Sequence, residues 1–446
     1  MPARAALFGE FGLADEMKVG REFEALVKSS MPLVEDPEIK LYVQSVVDRI
    51  VATLPPQPYK FQTSVMLHNS LNAFAVPGGF VFVHTGLIQN LKHESELAGV
   101  LSHEIAHVTQ RHIAHRIERG TAISLASIAG MLLGALAGGN VGQAAIAASA
   151  AAGPAAMLSY SRADEDDADQ FGIRYLVNAG YNPLGLSGAF SRIQELSYGR
   201  GADYPEYLST HPDLTARLTT MASRVQSMPA DVRHRPDGDA RFCRVQALIW
   251  AKYGDIQHAG QVFAARDPDD AMTLMGLGIL AARQNRVKDA EASFRRALEL
   301  APRDSLVLRE AGIFHYNMSD IQVARAQLEQ CLQINPDDAM GQFFYARLLD
   351  DEGDSHGAQA AYRRVLRYVP EDAEVHTYYG RSLGKSRQEF WGYLHLAYAA
   401  VYSNDERRAK SWLDKAKSGA RTDEEQAGLK KCIEVYTSRQ KLWSQR

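Results

Sequence analysis

The sequence predicts a mostly helical α+β chain, in which an N-terminal half with a small β-sheet precedes an all-α solenoid. Two strand-like runs, residues 61–67 and 79–84, stand among long stretches whose apolar residues recur at helix spacing. In the second half, Pro268, Pro302, Pro336 and Pro370 recur at intervals of 34 residues, the period of the tetratricopeptide repeat. A charged, proline-bearing stretch separates the halves. The expected division is therefore a first domain over 1–227, a linker over 228–239 and a repeat domain over 240–446.

A chain of 446 residues with 46% hydrophobic composition has room for two or three globular domains. The net charge of -4 and the lack of a basic tract give no reason to expect a nucleic acid partner. Cys243, Cys331 and Cys432 are odd in number and remote from the histidines described below, so they form neither a disulfide framework nor a cysteine-rich zinc cage. The first ten residues lack the apolar core of a secretory signal, which fits either a cytoplasmic protein or a mature chain given a new start codon.

Residues 15–54 read as two helices, carrying Phe23, Leu26, Val27, Tyr42, Val46, Val47 and Ile50 at helix spacing. Asp36-Pro37 starts the second, and Pro55, Pro56 and Pro58 end it. The strands at 61–67 and 79–84 flank Asn72-Ala73-Phe74-Ala75 and the turn Pro77-Gly78-Gly79. A short sheet can lend its free edge to an extended peptide, and Asn72, Ala73, Phe74 and Ala75 are the candidate edge. A plain hairpin capping the next helix is the alternative.

Residues 94–117 then read as one helix, with Leu97, Val100, Leu101, Ile105 and Val108 in a stripe. It contains His103-Glu104-Ile105-Ala106-His107. Histidines four apart lie on one helix face and can present ring nitrogens to one ion. Glu104 projects about 100° away, beside the metal, where it can take a proton from metal-bound water. The metzincin pattern would need glycine and histidine three and six positions after His107, where Gln110 and Ile113 stand.

Residues 121–158 are rich in alanine and glycine and are expected as an apolar helical flap over the cleft, with peripheral membrane contact as the alternative. A third ligand must come from elsewhere, and the acidic run Asp164-Glu165-Asp166-Asp167-Ala168-Asp169 opens the next helix. Such a cluster also suits a helix N-terminus without any metal. If it does supply a ligand, Glu165 and Asp169 form the best pair, one on the metal and the other orienting a ligand histidine.

Together, His103-Glu-Ile-Ala-His107, the run from Tyr160 to Asp169, Asn72-Ala-Phe-Ala-Val-Pro-Gly-Gly, Ser209-Thr-His211-Pro212 and Arg217 closely resemble the M48 family of gluzincin metallopeptidases over roughly residues 15–225. The resemblance implies one Zn2+ per chain held by His103, His107 and Glu165. It implies Asp169 behind a ligand and the Asn72 segment as the substrate edge. Glu104, His211 and Arg217 are implied as catalytic groups, with His211 near the metal as a reversible fourth ligand or a transition-state contact. A helix-start histidine before Pro212 is the plainer reading of His211. Low resting activity is expected if His211 competes with water at the metal.

In the repeat half, Leu277-Gly278, Ala290, Phe294 and Ala297 take helix-packing positions, repeated less strictly by Gly312 with Ala324, Ala358 with Tyr362, and Ala409 with Leu413. A first pair around Trp250 and Phe263 is shifted by about three residues. Cys243 and Cys331 fall at packing positions and are expected to be buried. The concave face of such a solenoid binds proteins.

The M48 and repeat combination is similar to periplasmic protease-chaperones of Gram-negative bacteria. The resemblance therefore implies a periplasmic zinc endopeptidase acting on misfolded or stalled outer-membrane protein clients, with the β-barrel assembly machinery as a candidate partner. A chaperone or binding scaffold with a latent metal site is the alternative.

Overall fold

The computed structural model describes residues 11–119, 160–199, 207 and 210–443. The tract expected as a flap, 121–158, lies outside the described residues. Among those described, no helix is long and apolar enough to cross a membrane. Contacts divide the chain into two units, Met1–Val34 with Ile39–Gln246, and Glu35–Glu38 with Ala247–Arg446.

In the first unit, helices α1 (Leu13–Ser30) and α2 (Pro37–Val51) precede strands β1 (Gln62–Met66), β2 (Ala73–Val76) and β3 (Phe80–His84). The sheet order is β1-β3-β2, with β1 parallel and β2 antiparallel to β3. The β2–β3 turn needs two left-handed residues, Gly78 (φ 86°) and Gly79 (φ 85°), which glycine adopts without a Cβ clash. Val19, Phe23 and Val27 of α1 pack on Met66, Val76, Phe80 and Phe82 of the sheet. Phe23 meets Phe82 edge-on at 5.3 Å, and Phe74 stacks on Phe82 at 5.0 Å. The outer side of β1 is covered, because the Val34 N–H donates to the Val65 carbonyl at 2.8 Å and Leu33 bridges Met66. β2 forms the opposite edge.

Helices α3 (Thr85–Asn90) and α4 (Glu94–Thr109) follow. The single helix expected over 94–117 is in fact two, since α4 stops and α5 (His112–Arg119) restarts. Arg111 between them is left-handed, φ 56°. Its guanidinium donates to Glu16 Oε1 at 2.7 Å and to the Phe11 carbonyl at 2.8 Å, contacts that offset the cost of that backbone conformation.

The second half of this unit contains α6 (Arg162–Asn178), α7 (Gly185–Gly199), α8 (Leu214–Gln226) and the short α9 (Ala230–Arg233). Both α6 and α7 pack on α4. They approach closely at glycines: a Cβ on Gly172 would lie 3.0 Å from His103 Cα, and one on Gly99 2.5 Å from the Leu186 nitrogen. The stretch expected as a linker is tied down rather than loose. Asp239 accepts from the Glu94 N–H at 2.8 Å and lies 2.6 Å from His93 Nδ1, and Asn182 donates to Asp237 at 3.2 Å.

The expectation that Cys243 is buried fails. The helix Ala240–Tyr253 buries Phe242, Val245 and Ile249, an i, i+3, i+7 stripe, which turns neighbouring Cys243 to an exposed position. Cys331 is buried as expected.

The second unit is built of paired helices from Ile256–Ala264 onward to Asp423–Trp443. Two further 34-residue series explain the regularity. Asp270, Asp304, Asp338 and Asp372 each cap a repeat's first helix by accepting backbone N–H bonds. Asn285, Ser319, Gly353 and Arg387, all at positive φ, make the turn into its second helix. Helices meet where small residues face large ones, as Gly278 on Phe294, Gly276 on Phe263 and Gly312 on Leu328. Phe294, Ala290, Ala297, Ala324, Ala358, Tyr362, Ala409 and Leu413 are all buried.

Candidate metal centre and active site

Four buried side chains converge inside the first unit. His103 and His107 project from α4, Glu165 from the first turn of α6, and His211 from the segment before α8. One donor atom from each lies within 4.8 Å of all the others. His103 Nε2 and His107 Nε2 are 3.0 Å apart, and each lies 3.5 Å from a Glu165 oxygen. His211 Nδ1 is 2.8 Å from Glu165 Oε1 and 3.4 Å from His103 Nε2.

This set fits zinc. Zn–N bonds of about 2.0–2.1 Å put tetrahedral ligand atoms roughly 3.3 Å apart, near the spacings found here. Two imidazole nitrogens aimed at one point inside a dry interior also need a cation or a shared proton between them.

The choice among the acidic residues follows from helix geometry. Asp164 is used in capping α6: its carboxylate accepts from the Ser161 N–H at 3.0 Å, while Ser161 Oγ accepts from the Asp164 N–H at 3.2 Å. Asp166 is exposed and pairs with Arg224 at 2.7 Å. Glu165 and Asp169, one helical turn apart, both face inward and are buried. Burial pushes the Glu165 carboxyl up, but His211 and His103 beside it outweigh this and hold it far below the ordinary range.

Behind the cluster, Asp169 Oδ1 lies 3.1 Å from His103 Nδ1. Arg217 grips Asp169 with two bonds of 2.8 and 2.7 Å, and its third nitrogen contacts Glu165 Oε2. Arg217, expected among the catalytic groups, is thus brought into the cluster, where its guanidinium contacts these two carboxylates and stacks over Phe190 at 4.7 Å.

Glu104 is fully buried; the Ala75 backbone N–H of β2 faces its carboxylate, but among the described residues no contact to either oxygen has good hydrogen-bond geometry. Burial raises its pKa. His211 Nε2 lies 3.5 Å from its Oε1. An unsatisfied buried carboxylate is costly and rarely kept without a chemical use. The edge strand β2, which contains Ala73, Phe74 and Ala75, packs against α4; Asn72, just before it, accepts the His84 N–H at 3.0 Å.

Three ring contacts at the site leave no signature in the sequence. Tyr160 stacks on His107, with ring centroids 3.7 Å apart, and Tyr207 stacks on His211 at 4.3 Å. His112 Nδ1 lies 2.9 Å from His107 Nδ1. The spacing of His107 and His112 hid that contact, because residues five apart do not share a face of a continuous helix.

Residues 35–225 match the model of peptidase family M48, and residues 256–305 and 346–383 match a tetratricopeptide-repeat model. The chain thus carries an M48 metallopeptidase domain, to which tetratricopeptide repeats are joined. Among curated relatives, it is similar to the putative beta-barrel assembly-enhancing protease of Vibrio cholerae, with 31% identity over 54% of this chain and 50% of the relative. It is also similar to the beta-barrel assembly-enhancing protease of Escherichia coli (strain K12), with 31% identity over 48% of this chain and 45% of the relative. The mitochondrial metalloendopeptidase OMA1 of Schizosaccharomyces pombe is 30% identical over 40% of this chain and 50% of its own. The chain spans about half the length of these relatives.

Proposed function

We propose that this protein is a zinc-dependent endopeptidase acting on misfolded or stalled protein clients in the quality control of outer-membrane protein assembly. The observation that carries the reading is the convergence of His103, His107 and Glu165 beside an unsatisfied, buried Glu104. The names of the two bacterial relatives support the process, and the repeats support binding of clients or partner proteins through their concave face. A periplasmic location and the β-barrel assembly machinery as partner belong to the same proposal.

Zinc bound by His103, His107 and Glu165 would act as a Lewis acid on the scissile carbonyl and make water acidic enough to deliver a nucleophile near neutral pH. The chain's own groups supply the rest. An extended client adds to the free side of β2 through main-chain hydrogen bonds, which places its backbone beside α4. Glu104, held in a dry site, takes the water proton and returns it to the leaving amine. Asp169 fixes the ring of His103, and Arg217 fixes Asp169 and Glu165. His211, whose Nδ1 belongs to the same cluster, would help hold the metal at rest and give way to a client, which would keep resting activity low and let the repeats act as a chaperone between cleavages.

Replacing Glu104 by glutamine tests the reading. The ligands stay intact, so Glu104→Gln should retain zinc while cleavage of an unfolded protein such as reduced casein falls by at least about 100-fold. Unchanged cleavage would remove Glu104 from the base role.

A further inference from the structure

We propose that His112 is a positioning residue for the metal site: it accepts the Nδ1–H of His107 and so holds that ring in the tautomer whose Nε2 lone pair faces the ion. The inference rests on the metallopeptidase reading and extends it to a residue outside the ligand set.

The two ligand histidines are supported from behind in different ways. His103 has a carboxylate, Asp169, at its rear nitrogen. Among the described residues no acidic residue takes that place for His107, and the partner of its Nδ1 is His112 Nδ1 at 2.9 Å. Two imidazole nitrogens at that distance share one proton. Because His107 Nε2 points at His103 Nε2 and Glu165, it must be the proton-free nitrogen for a metal to bind there. The shared proton then belongs to His107 Nδ1, and His112 is the acceptor. His112 in turn carries its own proton on Nε2, which faces Asp167 Oδ2 at 3.8 Å.

The fold is shaped to permit this contact. On an uninterrupted helix, a residue five positions on lies about 140° around the axis from His107 and points elsewhere. The left-handed Arg111 ends α4 and restarts the chain as α5, which returns His112 to His107 with ring centroids 5.0 Å apart. His112 is buried there, and Tyr160 covers the other side of His107 by stacking. Both the angle and the tautomer of the ligand are thereby fixed.

The experiment is zinc affinity, measured on the full chain by competition with a fluorescent chelator after the apoprotein is reloaded. His112→Ala should weaken zinc binding by about 10–100-fold, the usual effect of losing a group that orients a metal ligand. His112→Asn, whose Oδ1 stands where the Nδ1 of His112 does and can accept the same proton, should restore affinity to within about threefold of wild type, which a role in packing alone does not explain. His115→Ala, on the same short helix but outside this contact, should match wild type. Should the alanine variant not fold, His112→Leu fills the volume without an acceptor and takes its place. Equal affinity in wild type and His112→Ala, or an asparagine variant as weak as alanine, overturns the inference alone. A wild-type chain that takes up no zinc overturns the metallopeptidase reading, and this inference with it.

Discussion

Arg217 binds Asp169 through two parallel hydrogen bonds, Nε to Oδ2 at 2.8 Å and Nη2 to Oδ1 at 2.7 Å, while its remaining nitrogen reaches Glu165. One side chain from α8 thus ties together two carboxylates of α6 that both face the histidine cluster. Lysine keeps the charge but has neither the planar fork nor the reach to serve both partners. Arg217→Lys is therefore expected to lose zinc affinity by about 10–100-fold, and Arg217→Ala by more, since it leaves Asp169 buried without its partner. Zinc retention in the lysine variant equal to wild type would show that charge alone suffices.

The ligand set is tested by metal content. Elemental analysis of purified protein should find less than about a tenth of the wild-type zinc in Glu165→Gln, His103→Ala or His107→Ala. Asp164→Asn and Asp166→Asn should keep it, because those carboxylates serve the helix cap and Arg224. Full zinc in Glu165→Gln would transfer the ligand role elsewhere.

His211 provides a third test. With its Nδ1 among the metal-facing atoms, the resting zinc should have three nitrogen neighbours and one carboxylate, and His211→Ala should have two nitrogens and an exchangeable water. X-ray absorption on both proteins counts these neighbours directly. The same number in each would end the self-inhibition idea and leave His211 as a transition-state contact.

The repeats contain a histidine pair, buried His376 and half-buried His395, with their Nδ1 atoms 2.8 Å apart and His376 Nε2 donating to the Pro370 carbonyl at 3.0 Å. Burial lowers both, His376 to about 4 and His395 to about 3. The unfolded chain binds protons at these sites near pH 6.5 and the folded one does not, so the stability they confer is present above pH 6.5 and is lost as pH falls toward 4. Each can contribute at most about 1.4 kcal/mol per pH unit in that window. All four tryptophans, Trp250, Trp391, Trp412 and Trp443, lie in the second unit, so intrinsic fluorescence follows its unfolding. Urea midpoints between pH 7 and pH 4.5 should fall more steeply in wild type than in a His376→Gln, His395→Gln double variant. Parallel slopes would mean that the pair does not titrate with unfolding.

Much of this molecule was fixed by local rules. Helix spacing alone puts His103 and His107 on one face with Glu104 beside them, because a helix repeats every 3.6 residues whatever surrounds it. The repeats were equally legible, since each 34-residue unit meets only its neighbours and must reuse the same small and large residues. The tertiary structure decided what depends on distant partners. Arg111 has no intrinsic preference for a left-handed backbone, and the groups that hold it there, Glu16 and Phe11, are 95 and 100 residues away. Without that break, His112 could not reach His107, nor could spacing reveal the contact. The same reason hid the placement of Arg217, which a motif could mark as important but only the packing of α8 against α6 could aim at Asp169 and Glu165. Spacing within one element is set by backbone geometry, whereas the aim of a side chain across elements is set by everything packed around it.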